Sequence, residues 1–121
     1  MSLAHKSKEC IFCKIIDGTL PSEKIYENEK VLAFRDISPQ APVHLLIIPK
    51  KHVIDILDIE PEDDWIYSEL FKAAQLLAGQ MGIAGSGFRT VFNSGDHACQ
   101  TMYHLHLHLI GGAQMGGSLI G

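Results

Sequence analysis

His104-Leu105-His106-Leu107-His108-Leu109-Ile110 alternates three imidazoles with three leucines. Successive side chains of a β-strand point to opposite faces, so this spacing predicts a strand over 104–110 with Leu105, Leu107 and Leu109 in the core. His104, His106 and His108 then share the other face, in a row at roughly 7 Å intervals, because two strand residues advance the chain by about 6.6 Å. The solvent face of a half-buried strand usually mixes Lys, Glu and Thr. A face built only from imidazole, whose ordinary pKa lies near neutrality, points to a cleft.

Working outward, 121 residues bound the chain to a single domain, 1–121, long enough for an ordinary core, and 46% hydrophobic residues fit a globular protein. A formal charge of −4 without a Lys/Arg cluster argues against a nucleic-acid surface. A small phosphate ligand needs only one local pocket and remains open. No apolar run approaches the length of a membrane span, and the N-terminus shows no apolar signal core, so the expectation is a cytoplasmic protein with no membrane partner. Three cysteines, an odd number, point to metal or thiol chemistry rather than a disulfide framework.

Upstream, residues 9–16 read as a short helix with an apolar stripe at Ile11, Phe12, Ile15 and Ile16 and with Cys10 and Cys13 on a neighbouring face. Two thiolates at that spacing can chelate a tetrahedral metal, but the pair is equally compatible with redox chemistry or two small core residues. Segments 24–26 and 31–34 flank the polar Glu27-Asn28-Glu29-Lys30 as a hairpin. Residues 35–42 follow as a loop stiffened by Pro39 and Pro42, able to present Asp36 in a set position. Residues 43–48 read as an apolar strand whose one imidazole, His44, is by itself more simply a hydrogen-bonded core residue. A long helix opens at Pro61-Glu62-Asp63-Asp64, runs on the stripe Ile66, Leu70, Ala73, Ala74, Leu77 and Met81, and stops at Gly82. Residues 87–91 give a further strand. The turn-rich 93–101 leads into the histidine segment and is placed to bind a phosphate through backbone N–H groups, Asn93 and Thr101. These elements describe an α+β domain with a meander-like antiparallel sheet, helices on one face and His44, His106 and His108 on the other.

The histidine segment matches the signature of the histidine-triad (HIT) superfamily, and the chain resembles its Hint branch, the nucleotide-binding phosphoramidases. The resemblance extends through Phe12 to Ile15, residues 34–42, residues 48–52, Asn93, Gln100-Thr101, Tyr103 and residues 111–115. It implies a HIT-like α+β fold, a five-stranded antiparallel sheet with one short and one long helix, and a homodimer in which two sheets join. The implied substrate is a purine nucleoside 5′-phosphoramidate, an AMP or GMP group on an amine. His106 is the implied nucleophile, with its second nitrogen hydrogen-bonded to a main-chain carbonyl. His108 contacts the phosphate and protonates the departing amine, His44 lies near the nucleophile, and Thr101 supports the leaving group where relatives often carry serine. A neutral imidazole suits this role, because its phosphoryl adduct forms and then hydrolyses, dividing one hard displacement into two.

The resemblance further implies that Asp36 holds the ribose hydroxyls, that Phe12, Ile15, Phe34 and Ile37 wall the purine, and that Asn93 and Gln100 join Thr101, His106 and His108 around the nucleotide. Bacterial relatives carry a zinc on the Cys-x-x-Cys pair, the histidine of the Lys-Lys-His turn and the first triad histidine. Those positions are Cys10, Cys13, His52 and His104 here. Two thiolates and two imidazoles saturate a tetrahedral zinc, which makes it structural. Cys99 stands where relatives often have glycine, and the tail, 115–121, lacks the tryptophan of animal relatives that helps select the amine. The alternatives within this reading are a dinucleoside polyphosphate hydrolase of the same superfamily and a nucleotide-binding regulatory protein with little turnover.

Overall fold

The computed structural model describes residues 10–117, so Glu9 of the first helix and Ser118 to Gly121 of the tail lie outside the described residues. Its elements are α1 (Ile11–Ile16), β1 (Lys24–Glu27), β2 (Val31–Arg35), β3 (Val43–Pro49), α2 (Trp65–Gln80), β4 (Phe88–Val91) and β5 (Leu107–Gly111). Asn28 closes the β1–β2 hairpin, its Oδ1 accepting from the N–H groups of Lys30 and Val31 at 2.7 and 2.9 Å. The five strands form one antiparallel sheet in the order β1-β2-β3-β5-β4. A simple meander is therefore corrected. The crossover through α2 carries the chain past the position beside β3, and β5 fills that position after β4 has taken the edge.

Alternation assigns the two faces. Odd residues of β2, β3 and β5, including Ala33, Leu45, Ile47, Leu107 and Leu109, pack against Ile66, Leu70 and Leu77 of α2. Truncating any of these fully buried aliphatic side chains of α2 to alanine costs about 2–5 kcal/mol by the usual range. Even residues Leu32, Phe34, Leu46 and Ile48 pack against Cys10, Phe12 and Ile15 of α1. The two helices thus lie on opposite faces, against the expectation of one, because α1 has its own apolar stripe to bury. β2 and β3 are buried on both sides, which is why they read as nearly unbroken apolar runs.

The long helix divides into a 3-10 turn over Pro61–Asp63 and α2 proper. Asp63 is buried and paired with Lys51 rather than capping the helix. Gly82, at φ 74, adopts the left-handed conformation that ends the helix. Gly111 has a different reason: a Cβ there would stand 2.9 Å from Ile83 Cδ1.

The histidine segment departs most from expectation. The strand begins only at Leu107, and residues 102–104 bend. Leu105 N–H bonds to the Val53 carbonyl at 2.7 Å instead of to a neighbouring strand, although Leu105 stays in the core. The three imidazoles do not stand in one row. His104 turns toward α1, while the His106 and His108 rings close to 4.9 Å between centroids. β3 and β5 are neighbours in the register His44↔Ile110 and Leu46↔His108, which brings His44 diagonally against His108.

Candidate functional site

Between α1, the 36–42 loop and the 93–102 loop lies a cavity of about 380 Å³. Phe12, Ile15, Phe34 and Leu46 provide its apolar side, and His106 and His108 its imidazoles. Every residue expected around a nucleotide lines it, so Asp36, Ile37, Asn93, Gln100 and Thr101 are there as well. Ile37 is 98% exposed, an aliphatic side chain that no described residue covers. The Phe12 ring stands edge-on to both Phe34 and His106, at 5.4 and 5.3 Å, and so joins α1 directly to the triad.

Main-chain partners orient the imidazoles. His106 Nδ1 lies 2.7 Å from the His104 carbonyl. A carbonyl only accepts, so Nδ1 carries the hydrogen and, in the neutral ring, Nε2 carries the lone pair. His44 Nδ1 accepts the main-chain N–H of Gln40 at 3.0 Å, which puts the neutral ring's hydrogen on Nε2. That nitrogen is 2.9 Å from His108 Nδ1 and 3.4 Å from the Asp36 carboxylate. Burial pushes His44 and His106 below the ordinary imidazole range and His108 down to about 4, with the neighbouring His106 and His44 rings adding to the last shift. Each shift favours the uncharged ring, in His106 and His108 on the cavity and in His44 beside His108.

A second cluster sits behind His106. Cys10 Sγ and Cys13 Sγ lie 3.2 and 3.5 Å from His104 Nδ1, Cys13 Sγ lies 3.4 Å from His52 Nδ1, and the two Nδ1 atoms are 3.2 Å apart. A tetrahedral zinc, with bonds of about 2.1 Å to nitrogen and 2.3 Å to sulfur, holds its donor atoms roughly 3.3–3.8 Å apart. The separations are close to that span. The tautomer fits too: His104 Nε2 donates to the Pro49 carbonyl at 2.8 Å, leaving Nδ1 as a lone pair aimed at the sulfurs. Burial holds His104 at about 4, hence neutral, as a metal ligand must be. Burial and the adjacent Cys10 sulfur raise the Cys13 thiol to about 12, a tendency that a dication reverses. This donor set is compatible with zinc.

The loop before β5 is held by Gln100. Its Oε1 accepts from Gly95 N–H at 2.9 Å, and its Nε2 donates to the carbonyls of Ile54 and Met102 at 2.8 and 3.1 Å. Both amide hydrogens are thereby committed to main chain. Cys99, exposed and lining the cavity, has φ 61. Glycine enters that left-handed region at no steric cost, whereas a cysteine there is strained.

Some site groups had no sequence signal. The carbonyls of Pro49 and His104 and the N–H of Gln40 orient imidazoles, and main-chain groups are common to every residue type. Leu46 was within reach of pattern, since it lies two residues from His44 on the same strand face. Met102, another lining residue, sits in an irregular loop where no period applies.

Comparisons with known proteins agree with the fold. The HIT domain family matches residues 17–115. The purine nucleoside phosphoramidase of Escherichia coli K12 is 42% identical over 113 residues, covering 93% of this chain and 95% of that protein. A 14 kDa zinc-binding protein of Brassica juncea is 48% identical over 109 residues, 88% of this chain and 96% of that one. Among solved structures, a HIT family hydrolase from Clostridium thermocellum superposes with a TM-score of 0.90 at 46% identity, covering 93% of this chain and 98% of that chain. Fold, paired imidazoles and sequence match converge, and the chain belongs to the HIT domain family.

Proposed function

We propose that this protein is a HIT-family hydrolase that cleaves purine nucleoside 5′-phosphoramidates through a nucleotidyl intermediate on His106. The observation that carries the reading is the 2.7 Å hydrogen bond from His106 Nδ1 to the His104 carbonyl, which leaves a nucleophilic Nε2 in a ring lining the cavity. The likeness to the E. coli phosphoramidase supports the substrate class.

In the first step the His106 Nε2 lone pair attacks phosphorus and the P–N bond breaks. The bond's electron pair goes to the amine nitrogen, which takes a proton from His108 Nε2. His108 is an imidazolium at that moment, favoured by the anionic phosphoryl group beside it. Water then attacks phosphorus, the P–Nε2 bond returns its pair to His106, and one water proton restores His108. Thr101 supports the departing amine, and His44 backs His108 through their 2.9 Å contact. Asp36 clamps the ribose hydroxyls, and Asn93 contacts sugar or phosphate. Phe12, Ile15, Phe34 and Ile37 cover a flat base without reading its edge, which predicts tolerance of guanine as well as adenine. Gln100 serves the same pocket by holding its loop.

Cys10, Cys13, His52 and His104 would hold a zinc. Saturated by four protein ligands, the metal supplies no open coordination position and ties α1, the 50–52 turn and the triad segment together. Phe71 on α2 is 45% exposed and stands edge-on to Phe92, just past β4, at 6.0 Å, and among the described residues the outer edge of β4 pairs with no strand, an arrangement that fits a homodimer joined at β4.

The test is steady-state amine release from a fluorogenic adenosine phosphoramidate, comparing the unmodified chain with His106→Ala, and a parallel assay on a dinucleoside polyphosphate. Release should fall at least about 10³-fold on substitution, with the fold retained. Equal activity in the two proteins removes His106 as nucleophile. Faster turnover of the polyphosphate moves the assignment to that substrate, and no turnover of either leaves a nucleotide-binding role.

A further inference from the structure

We propose that the main-chain N–H of Gln40 is a positioning element that sets the protonation order of the His44–His108 pair, holding His108 neutral in the resting cavity with its one proton on Nε2. The inference rests on the reading of His108 as the group facing phosphate and amine. A peptide N–H neither accepts a hydrogen bond nor yields its proton near neutral pH. His44 Nδ1, 3.0 Å from it, must therefore present a lone pair. The proton of neutral His44 is then on Nε2, aimed at His108 Nδ1 across 2.9 Å. Two nitrogens at that distance share one hydrogen, so His108 Nδ1 is the acceptor, and its own proton lies on the nitrogen turned away from His44. The direction of this series begins in the backbone and ends at the ring lining the cavity.

Charging His108 runs against the series. A proton on His108 Nδ1 requires His44 to offer a lone pair at Nε2 and so to carry its hydrogen on Nδ1, facing the Gln40 N–H. One hydrogen bond is lost for each protonation. Among the described residues, the titratable and charged groups facing the pair are Asp36, 3.4 Å from His44 Nε2, and His106, whose ring centroid is 4.9 Å from that of His108. Asp36 favours the charged form of His108, and His106 opposes it. The series thus opposes the second proton of His108 at Nδ1, so the ring stays neutral in the resting cavity and becomes an imidazolium only when an anionic phosphate enters. Pro39 and Pro42 bracket Gln40 and limit the loop's freedom to turn the N–H aside.

The experiment is long-range 1H–15N spectroscopy of 15N-histidine-labelled full chain from pH 4 to 8, with the pH–rate profile for the fluorogenic phosphoramidate. Gln40→Pro removes the N–H, and Gln40→Ala keeps it while deleting the side-chain amide. The unmodified chain and Gln40→Ala should show His44 and His108 as Nε2–H tautomers at pH 7. Gln40→Pro should introduce the other His44 tautomer, and should raise the His108 titration and the acidic limb of the rate profile by about one pH unit, the equivalent of one hydrogen bond. A folded Gln40→Pro with unaltered tautomers and titration overturns the proposal, as does an equal change in Gln40→Ala. Should proline unfold the loop, a chain prepared with a main-chain ester at residue 40 gives the same readout without steric change. If the unmodified chain turns over no phosphoramidate yet shows these tautomers, the proposed activity fails and the series stands; turnover without them is the reverse.

Discussion

Gln100→Met isolates the device that holds one side of the cavity in place. Methionine keeps the length and approximate volume of glutamine while removing the hydrogen bonds with Gly95, Ile54 and Met102. Gln100 is 5% exposed, so water replaces those bonds poorly. At about 1 kcal/mol net for each, the substitution costs about 3 kcal/mol, which for a domain of this size lowers Tm by roughly 10 °C. The 93–102 loop carries Asn93 and Thr101, whereas His106 is fixed independently through the His104 carbonyl. The functional loss should therefore appear chiefly as weaker binding: KM for the fluorogenic phosphoramidate rises about tenfold, while kcat, to which Thr101 contributes at the departing amine, falls by less than about tenfold. Differential scanning calorimetry and steady-state kinetics on one preparation measure both. An unchanged Tm with a raised KM would mean that Gln100 contacts the nucleotide directly, and a kcat loss comparable to that of His106→Ala would refute the separation of loop from nucleophile.

Other outcomes follow from the same geometry. His108 is depressed to about 4 in the fold against about 6.5 in an unfolded chain, so the unfolded state binds more protons between those values. Stability should fall as pH drops from about 6.5 to 4 and level off below; urea midpoints should decline less steeply in His108→Gln, and parallel curves would contradict the assignment. The purified chain should hold one zinc per protomer by elemental analysis, with Cys13→Ser losing it together with hydrogen-exchange protection in α1; a metal-free chain with equal protection would remove zinc from the fold. Asp36→Ala should raise KM about tenfold for an adenosine substrate and little for its 2′,3′-dideoxy counterpart, and equal effects on both would rule out a ribose clamp.

Much of the fold was legible because burial follows period. Leu107 and Leu109 face one side and His108 the other, as alternation required, and Ile66, Leu70 and Leu77 form the buried stripe of α2. The helix at 11–16 and the hairpin around Asn28 were equally readable. Alternation also overreached: it extended the last strand to His104, where the chain bends and its imidazole turns to α1. A periodic pattern records which side chains are buried, and Leu105 is buried; it does not record which backbone groups pair, and Leu105 N–H pairs with Val53 rather than a strand. Strand order escaped for a related reason, since an intervening helix can carry the chain past a vacant position in the sheet.

By itself the sequence determined the composition of the site. Imidazoles, paired thiols and a carboxylate lie at spacings that can converge, and the family pattern joins positions as distant as Cys10 and His104. Only the tertiary structure decided how those groups are protonated and aimed. His106, His104 and His44 are chemically the same side chain, yet one presents Nε2 to the cavity, one presents Nδ1 to the sulfurs, and one passes a hydrogen to His108. What separates them is the partner of each ring's second nitrogen. In every case that partner is a main-chain carbonyl or N–H, whose placement comes from folding and not from residue type.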